Sequence, residues 1–519
     1  MPPIPTGPFS MPMIRDFVPA KIRPWIYLVF LFIFQLTGVY YLGAAQQISG
    51  STSLMHEDVM MVGLCNVVGV NMPFPLLFRF KFRFTNRQLL LNAATIVLLC
   101  DVAAIYTQSL PGLCVLAFFG GFFKLCGTFE CASNIQLWMT PKRDFRIFFP
   151  LLYIIVVGDI SLSGWMAQVL TYYCGSWQAM NWFIALLLIV VILALWVITK
   201  PFRFMKPLPL ISVDWLGCIL WSLSLLGVIW LFNYGEFYNW WDSEVWLTVL
   251  WMTLVVIAVT IHRMFIIRHP YISPKAFCYK TLVPTLMLYS VAEFMSATPK
   301  AIENVFTGSV MHWGTLTLSV LNLISVAGTI LGCLFTLLWM KVLHKRYTHL
   351  LILGFAALLA YQVMMYFYIS PELNLDRLYL PTLLRTAGYA IYFTALTIYL
   401  EELMPFEHFF MGLTISGFAR NGMAEAICCG LFSYGIRYHV ADNMVRTMPY
   451  NPLQSTLVSC KQMFGYVCIF GVIFLLVYLL YDLQPVRSTL KKMPYWNVVG
   501  RNLRRQVIRH RPSAENKAQ

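Results

Sequence analysis

Asp101, Lys124, Glu130, Asp159, Glu293, Arg385, Arg420 and Glu425 all fall inside long apolar stretches of the chain. An ionisable side chain in hydrocarbon costs about 2.5–3.5 kcal/mol on insertion scales, so such a residue faces the interior of a helix bundle and marks ion or proton paths. Glu130 lies in GTFECASNIQLW, with Asn134 one helical turn further on. A desolvated carboxyl there can carry a proton; it can equally be a structural carboxylate paired with Lys124 or Arg420. Asp159 is the second proton-carrying candidate. Lys124 suits either an acid on a neighbouring helix or an anionic substrate. With Glu293, Arg385, Arg420 and Glu425 it makes up an intramembrane charge set, in which Arg385, Arg420 and Glu425 read first as a structural ion network. Tyr40, Tyr41, Trp165, Tyr289 and Tyr389 stand at depths where a cavity could form.

The elements that must position these groups are membrane helices. Of 519 residues, 59% are hydrophobic and only 11% charged, against about 25% charged in soluble domains. Each helical span needs about 20 mostly apolar residues. The length criterion places spans at Trp25–Ala45, Val59–Phe78, Leu89–Tyr106, Leu113–Leu137, Ile147–Tyr172, Trp177–Thr199, Trp215–Tyr234 and Val245–Phe265. Six more follow at Leu282–Thr298, Leu316–Met340, Leu350–Tyr368, Leu378–Leu400, Phe409–Tyr434 and Met463–Tyr481. The fold class is an all-α integral membrane protein with about 14 transmembrane helices. The layout reads as a lead over 1–24, six spans over 25–199, two spans with flanking basic loops over 200–280, six spans over 281–483, and a basic tail over 484–519.

The net charge is +15, but the basic residues fall in short runs between spans, which argues for topology and against nucleic acid. One set of loops carries Arg79, Lys81, Arg83 and Arg87, then Lys142, Arg143 and Arg146, then Lys200, Arg203 and Lys206, then Arg263, Arg268, Lys275 and Lys280, then Lys341, Lys345 and Arg346. The alternate loops Gln46–Asp58, Gln108–Gly112, Cys174–Ser176 and Gly235–Glu244 carry no Lys or Arg. Both termini are therefore expected in the cytoplasm. The basic, Pro-rich lead lacks the apolar core of a cleavable signal. Pro201, Pro207 and Pro209 break the loop before the extra pair of spans, and Lys300 is expected in an outer loop. The thirteen Cys show no metal spacing, and no metal or other cofactor is expected; Cys174 and Cys460 both fall on the outer side, where a disulfide is conceivable.

Six spans, then two, then six resembles the fourteen-helix drug/proton antiporters of the major facilitator superfamily, the EmrB/QacA type, over roughly Arg23 to Leu483. The stretch Val213–Ser243, VDWLGCILWSLSLLGVIWLFNYGEFYNWWDS, looks like the extra-helix region of that family. Pro73–Arg87, PFPLLFRFKFRFTNR, stands where the superfamily has its basic loop after the second span; the basic character is kept and the usual Gly and Asp are not. GDISLSGW at Gly158–Trp165 is similar to the fifth-span motif, with Asp159 in place of the usual Pro. Thr37, in QLTGVYYL, stands where the first-span acid is usual. The resemblance implies a major facilitator fold with two six-helix bundles and two additional helices. It implies proton-coupled efflux of amphipathic small molecules, with Arg79, Lys81, Arg83 and Arg87 at a cytoplasmic gate. It also implies an inner-membrane pump that can work with a periplasmic adaptor protein and an outer-membrane channel.

Two other readings are an importer or facilitator of a small metabolite, and a polytopic enzyme such as a lipid-linked sugar transferase. The enzyme should show acid or His clusters in a sizeable loop, and HxxxH, Gly-rich phosphate loops and GxSxG are absent. The topology is directly testable. A reporter fused after Lys206 is expected to be active only in its cytoplasmic form, and one inserted near Glu236 only in its periplasmic form. The reverse at either site rejects this span map.

Overall fold

The computed structural model describes residues 11–38, 40–140, 144–203, 210, 213–279, 282–341, 347–404, 406–446 and 451–483. Lys142, Arg143, Lys206, Pro207, Pro209, Lys280, Lys345, Arg346 and the tail from Arg487 to Arg511 lie outside the described residues. The chain divides into a large unit, Met1–Cys468, and a second, Ile469–Gln519, whose described part is the end of the last helix, Pro452–Leu483.

Among the described residues, fourteen helical segments, here called passes, follow the order of the expected spans. Pass 1 is Arg23–Leu36 followed by the short turns Tyr40–Gly43 and Ala45–Ser51. Pass 2 runs His56–Arg83. Passes 3 to 8 are Asn86–Tyr106, Leu110–Met139, Phe145–Cys174, Gln178–Ile198, Trp215–Asn233 and Glu244–Ile266. Pass 9 is Leu282–Thr298, continued by π-helical turns to Val310. Passes 10 to 12 are Thr315–Lys341, Tyr347–Tyr368 and Tyr379–Leu403. Pass 13 joins Phe406–Gly417, a π-helical Phe418–Ala424 and Glu425–Arg446. Pass 14 is Pro452–Leu483. Ten of these helices are long and apolar enough to cross a membrane.

Local chemistry sets the ends. Proline occupies the first turn in passes 1 and 4, where its missing N–H costs nothing. Asp144, Asp214 and Ser243 accept N–H bonds at the starts of passes 5, 7 and 8. Gly175, at φ +66°, closes pass 5 in the left-handed conformation that glycine adopts freely. Asp214 is also held by Arg263, at 2.7 Å. Partial burial raises its carboxyl, but that guanidinium and two backbone N–H groups outweigh it and hold the group below the usual carboxylate range.

Passes 1–6 form one bundle and passes 9–13, with the Pro452–Cys468 part of pass 14, the other, and pass 5 packs along pass 10 between them. The extra pair is not symmetric. Pass 7 lies against passes 2 and 13, one from each bundle, whereas pass 8 packs mainly on pass 7 and leaves most of its surface to lipid. Tyr234 at the end of pass 7 donates to Asp58 at 2.6 Å, and Asn233 donates to the Glu57 carbonyl at 2.8 Å. From the other bundle, Arg437 reaches Glu236 of the hairpin at 2.5 Å.

The structure differs from the sequence expectations at passes 1 and 9 and at two cysteines. Pass 1 is interrupted at Thr37–Gly38, with Gly38 at φ +78°. Pass 9 does not stop at Thr298, so Lys300 sits in a helical segment and pairs with Glu425, not in an outer loop. Cys174 and Cys460 are both free thiols, one exposed and one buried.

Without a hydrophobic force between helices in lipid, close approach through small residues carries the packing. A carbon added at Gly121 would lie 2.2 Å from the Asn66 carbonyl oxygen of pass 2, whereas at Gly158 it would meet open space. Overpacking costs about 1–3 kcal/mol. Gly121→Val is therefore expected to lower the thermal denaturation midpoint in detergent, with Gly158→Ala unchanged. Equal midpoints would show that these glycines do not set the helix spacing.

Candidate functional site

A cavity of about 500 Å³ lies between the bundles. Its walls come from the end of pass 2 (Phe74, Phe78, Lys81, Phe82), the end of pass 4 (Phe129, Ser133, Gln136), the start of pass 5 (Phe145, Phe149, Tyr153) and the start of pass 13 (Phe409, Phe410, Arg420). All of these except Arg420 lie on the side where pass 1 begins, so the cavity occupies that half of the molecule. Phenylalanines dominate because the segment LFRFKFR continues pass 2 as helix, stacking Phe74, Phe78 and Lys81 on one face at i, i+4, i+7. Phe78 meets Phe129 and Phe410 edge-on at 5.5 and 4.7 Å between centroids, a geometry that suits the ring quadrupoles.

Two cations face this apolar space, each backed by a carboxylate. Lys81, buried, pairs with Glu130 at 3.3 Å, hydrogen-bonds Ser133 and lies 5.7 Å from the centre of the Phe129 ring. Asn134 donates to the other Glu130 oxygen at 3.0 Å. In the opposite wall Arg420 stands 4.1 Å over the Phe393 ring and 4.0 Å from Glu293, which also accepts from Tyr389 at 2.6 Å. The half-buried guanidinium occupies the π-helical turn of pass 13, and such turns recur at functional sites. Beside it, Asn71 of pass 2 donates to the Gly417 carbonyl of pass 13 across the bundle boundary.

The remaining predicted residues take different places. Lys124 is buried and donates to the backbone carbonyls of Gln35 and Thr37, at 2.8 and 2.7 Å, where pass 1 breaks. Asp101 and Asp159 are buried carboxylates whose charges act on it. Glu425 pairs with Lys300. Arg385 lies over the Tyr361 ring, 5.5 Å from its centre. Arg79 is half-buried, Arg83 exposed, and Arg87 covers Trp196 of pass 6 at 4.7 Å. Lys81 is thus separated from the three arginines by its burial and its partner.

Sequence reasoning placed Lys81 in a loop because an apolar window ends near Phe78. The signal that finds it is the unbroken helical spacing of the phenylalanines through Phe82. Gln35 and Thr128, joined at 3.0 Å and lining the cavity, were also missed; uncharged polar residues in apolar spans carry little signal.

No family model matches the chain, and no curated protein matches it in sequence. Solved structures do match it in shape. An auto-inhibited POT family peptide transporter aligns with TM-score 0.55 at 13% identity, covering 88% of this chain and 96% of that one. The human organic anion transporter MFSD10 (TETRAN) aligns with TM-score 0.51 at 11% identity, covering 88% and 100%. The fold is that of the major facilitator transporters. In a major facilitator fold the expected pair of six-helix bundles is present, and the additional helices are passes 7 and 8.

Breaking a buried ion pair by removing one partner costs about 3–5 kcal/mol, because the other charge is left uncompensated, whereas neutral replacement of both is tolerated. Lys81→Met is expected to destabilise the protein by roughly that amount, and Lys81→Met with Glu130→Gln to recover most of it, as read by denaturation in detergent. Additive losses would mean that the two charges do not depend on each other.

Proposed function

We propose that the chain is a secondary active transporter that exports amphipathic small molecules in exchange for protons by alternating access. It would sit in the inner membrane with both termini cytoplasmic. The observation that carries this reading is the phenylalanine-lined cavity between the bundles with the Lys81–Glu130 pair in its wall. An apolar pocket with a few placed polar groups suits amphipathic ligands, and aromatic faces attract cations.

Glu130 supplies the coupling in this reading. With Glu130 ionised, its charge cancels that of Lys81. A proton on Glu130 leaves Lys81 as an uncompensated cation facing the cavity, which disfavours a neutral or cationic amphiphile at that site. Proton arrival then favours substrate release, which is the sign that exchange requires. One charge crossing 100 mV is worth about 2.3 kcal/mol. Arg79, Arg83 and Arg87, at the near end of passes 2 and 3, would hold the closed arrangement there by contacting neighbouring helix ends. Any hand-over to a periplasmic adaptor and an outer-membrane channel would follow release on the far side.

The test is transport into proteoliposomes under an imposed pH gradient, with a panel of fluorescent amphipathic cations, neutral compounds and anions. The wild type is expected to accumulate cationic or neutral members against their gradient. Glu130→Gln, which mimics the protonated carboxyl, is expected to bind substrate more weakly, to exchange it down its gradient only at higher concentration, and not to accumulate it when driven by protons. Gradient-driven accumulation by Glu130→Gln equal to wild type rules Glu130 out as the carrier. Accumulation of anions alone, in the opposite sense, favours an importer.

A further inference from the structure

We infer that the corner where the N-terminal lead, the start of pass 3 and the end of pass 6 meet binds the headgroup of an anionic phospholipid, whose acyl chains lie along the outer face of pass 6. This goes beyond the transport reading and needs only that the chain sits in a bilayer.

Backbone bonds bring three stretches of chain together here. Ile14 and Thr199 form an antiparallel bridge. Beside it the Arg15 amide donates to the Ile198 carbonyl and the Lys200 amide to the Met13 carbonyl, both at 2.9 Å. The Asn86 amide donates to the Phe202 carbonyl at 3.0 Å, which ties in the start of pass 3. Met11, Met13 and Ile14 are buried, so the lead is packed down at this end of the bundle. Four cations are thereby set around one helix end. Arg15 and Lys200 flank the bridge, Arg87 follows Asn86, and Arg203 follows Phe202.

The Arg87 guanidinium lies 4.7 Å from the centre of the Trp196 ring, and its Nη2 donates to the Trp196 carbonyl at 3.4 Å. That carbonyl is two residues from the one that holds Arg15, so the two arginines are anchored on the same last turn of pass 6. Elsewhere on this side the arginines have acids: Arg146 pairs with Glu402 and Arg263 with Asp214. Among the described residues, no carboxylate pairs with Arg15, Arg87 or Arg203. The acid that does reach this corner is Asp16. Its exposed carboxylate lies 3.2 Å from Lys200 and 4.0 Å from Arg23, so one negative charge serves two cations. The corner is left with an excess of positive charge held in fixed places.

A phosphate diester is the anion that fits. Guanidinium groups match phosphate oxygens in pairs, and basic pockets between membrane helices on the cytoplasmic side take anionic headgroups. The surrounding surface sets the depth. Phe17, Trp25 and Trp196 are all more than half exposed, as aromatic rings at the level of the headgroups are. Beyond Trp196, Leu193 and Leu186 are exposed on pass 6, in the direction that an acyl chain must run from that headgroup. A free phosphate would use the cations and leave this apolar face bare, so the occupant is a lipid.

The test is native mass spectrometry of the full chain released from detergent, titrated with dioleoyl phosphatidylglycerol and, as the neutral probe, dioleoyl phosphatidylcholine. One phosphatidylglycerol is expected to be retained in preference to phosphatidylcholine. Each cation removed is expected to weaken that binding about fivefold, so Arg15→Gln with Arg87→Gln weakens it about 25-fold. Arg268→Gln with Lys275→Gln, an equal loss of charge on the same side, is expected to leave it unchanged. Asp16→Asn is expected to tighten it, because Lys200 and Arg23 lose a competing carboxylate. Equal retention of the two lipids, an equal loss in the control pair, or binding in Asp16→Asn no tighter than in wild type overturns the site. Displacement of the lipid by millimolar inorganic phosphate overturns the lipid as its occupant. Where the double arginine variant does not fold, Asp16→Asn and the control pair decide. Transport lost in Arg87→Gln with lipid retention intact bears only on the gate, so the two proposals fail separately.

Discussion

A charge removed from water must find its compensation inside the protein, and the architecture of this chain follows from how it meets that demand. Lys81 with Glu130, Lys124 with the ends of a broken helix, Lys300 with Glu425, and Glu293 with Tyr389 and Arg420 each tie one pass to another. Tyr361 of pass 11 adds a 2.5 Å bond to Glu303 of pass 9. Dispersion between apolar helices tolerates sliding, whereas a buried ion pair displaced by one helical turn leaves two uncompensated charges. These pairs therefore fix which helix faces which, and at what height, in a protein whose surface offers no hydrophobic force to do so.

The extra pair adds a second kind of constraint. Pass 7 hydrogen-bonds to pass 2 through Tyr234 and Asn233, while its hairpin is bound from pass 13 by Arg437. Trp221 stacks on Phe418, and beyond pass 8 Tyr271 donates to the Met72 carbonyl. Passes 2 and 13 are also the walls of the central cavity. A rocking motion of one bundle against the other must either carry pass 7 with one partner or shear it between both. Half-exposed contacts such as Arg437 with Glu236 are the weaker ones; the buried Tyr234–Asp58 bond is the one that holds.

Much of the fold was legible because apolar length alone marks spans: all fourteen expected stretches overlap observed passes. The charged residues were legible as interior groups for the same reason. Their partners were not. Glu130 was weighed against Lys124 or Arg420, yet its partner is Lys81, hidden from a hydropathy window because pass 2 continues as helix through a basic segment. Lys300 was hidden in the same way, since Pro299 ends the apolar stretch while the helix goes on through a π-helical turn that begins at that proline. Pairing depends on rotation and height between helices distant in sequence, which no local pattern encodes. The break at Gly38 shows the converse. Its Gly is visible, but the Lys124 that stabilises the open carbonyls is 86 residues further along (124 − 38).

The irregular backbone is not scattered. Pass 1 is broken at Thr37–Gly38, pass 9 turns π-helical at Pro299, and pass 13 does so at Phe418. Passes 1 and 9 are the first helices of their bundles, so two interruptions stand in corresponding positions of the two halves, as in transporters whose substrate and ion sites lie at discontinuous helices. Pass 13 is the fifth helix of its bundle, and its counterpart, pass 5, carries Pro150 and Asp159. Each irregular segment also holds or faces a cation: the buried Lys124 at pass 1, Lys300 within pass 9, paired with the buried Glu425, and the half-buried Arg420 within pass 13. A regular helix resists bending through its hydrogen-bond ladder, and these are the points where that ladder is interrupted and a charge stands in. A change of charge at one of them alters the helix that carries it before it alters anything else.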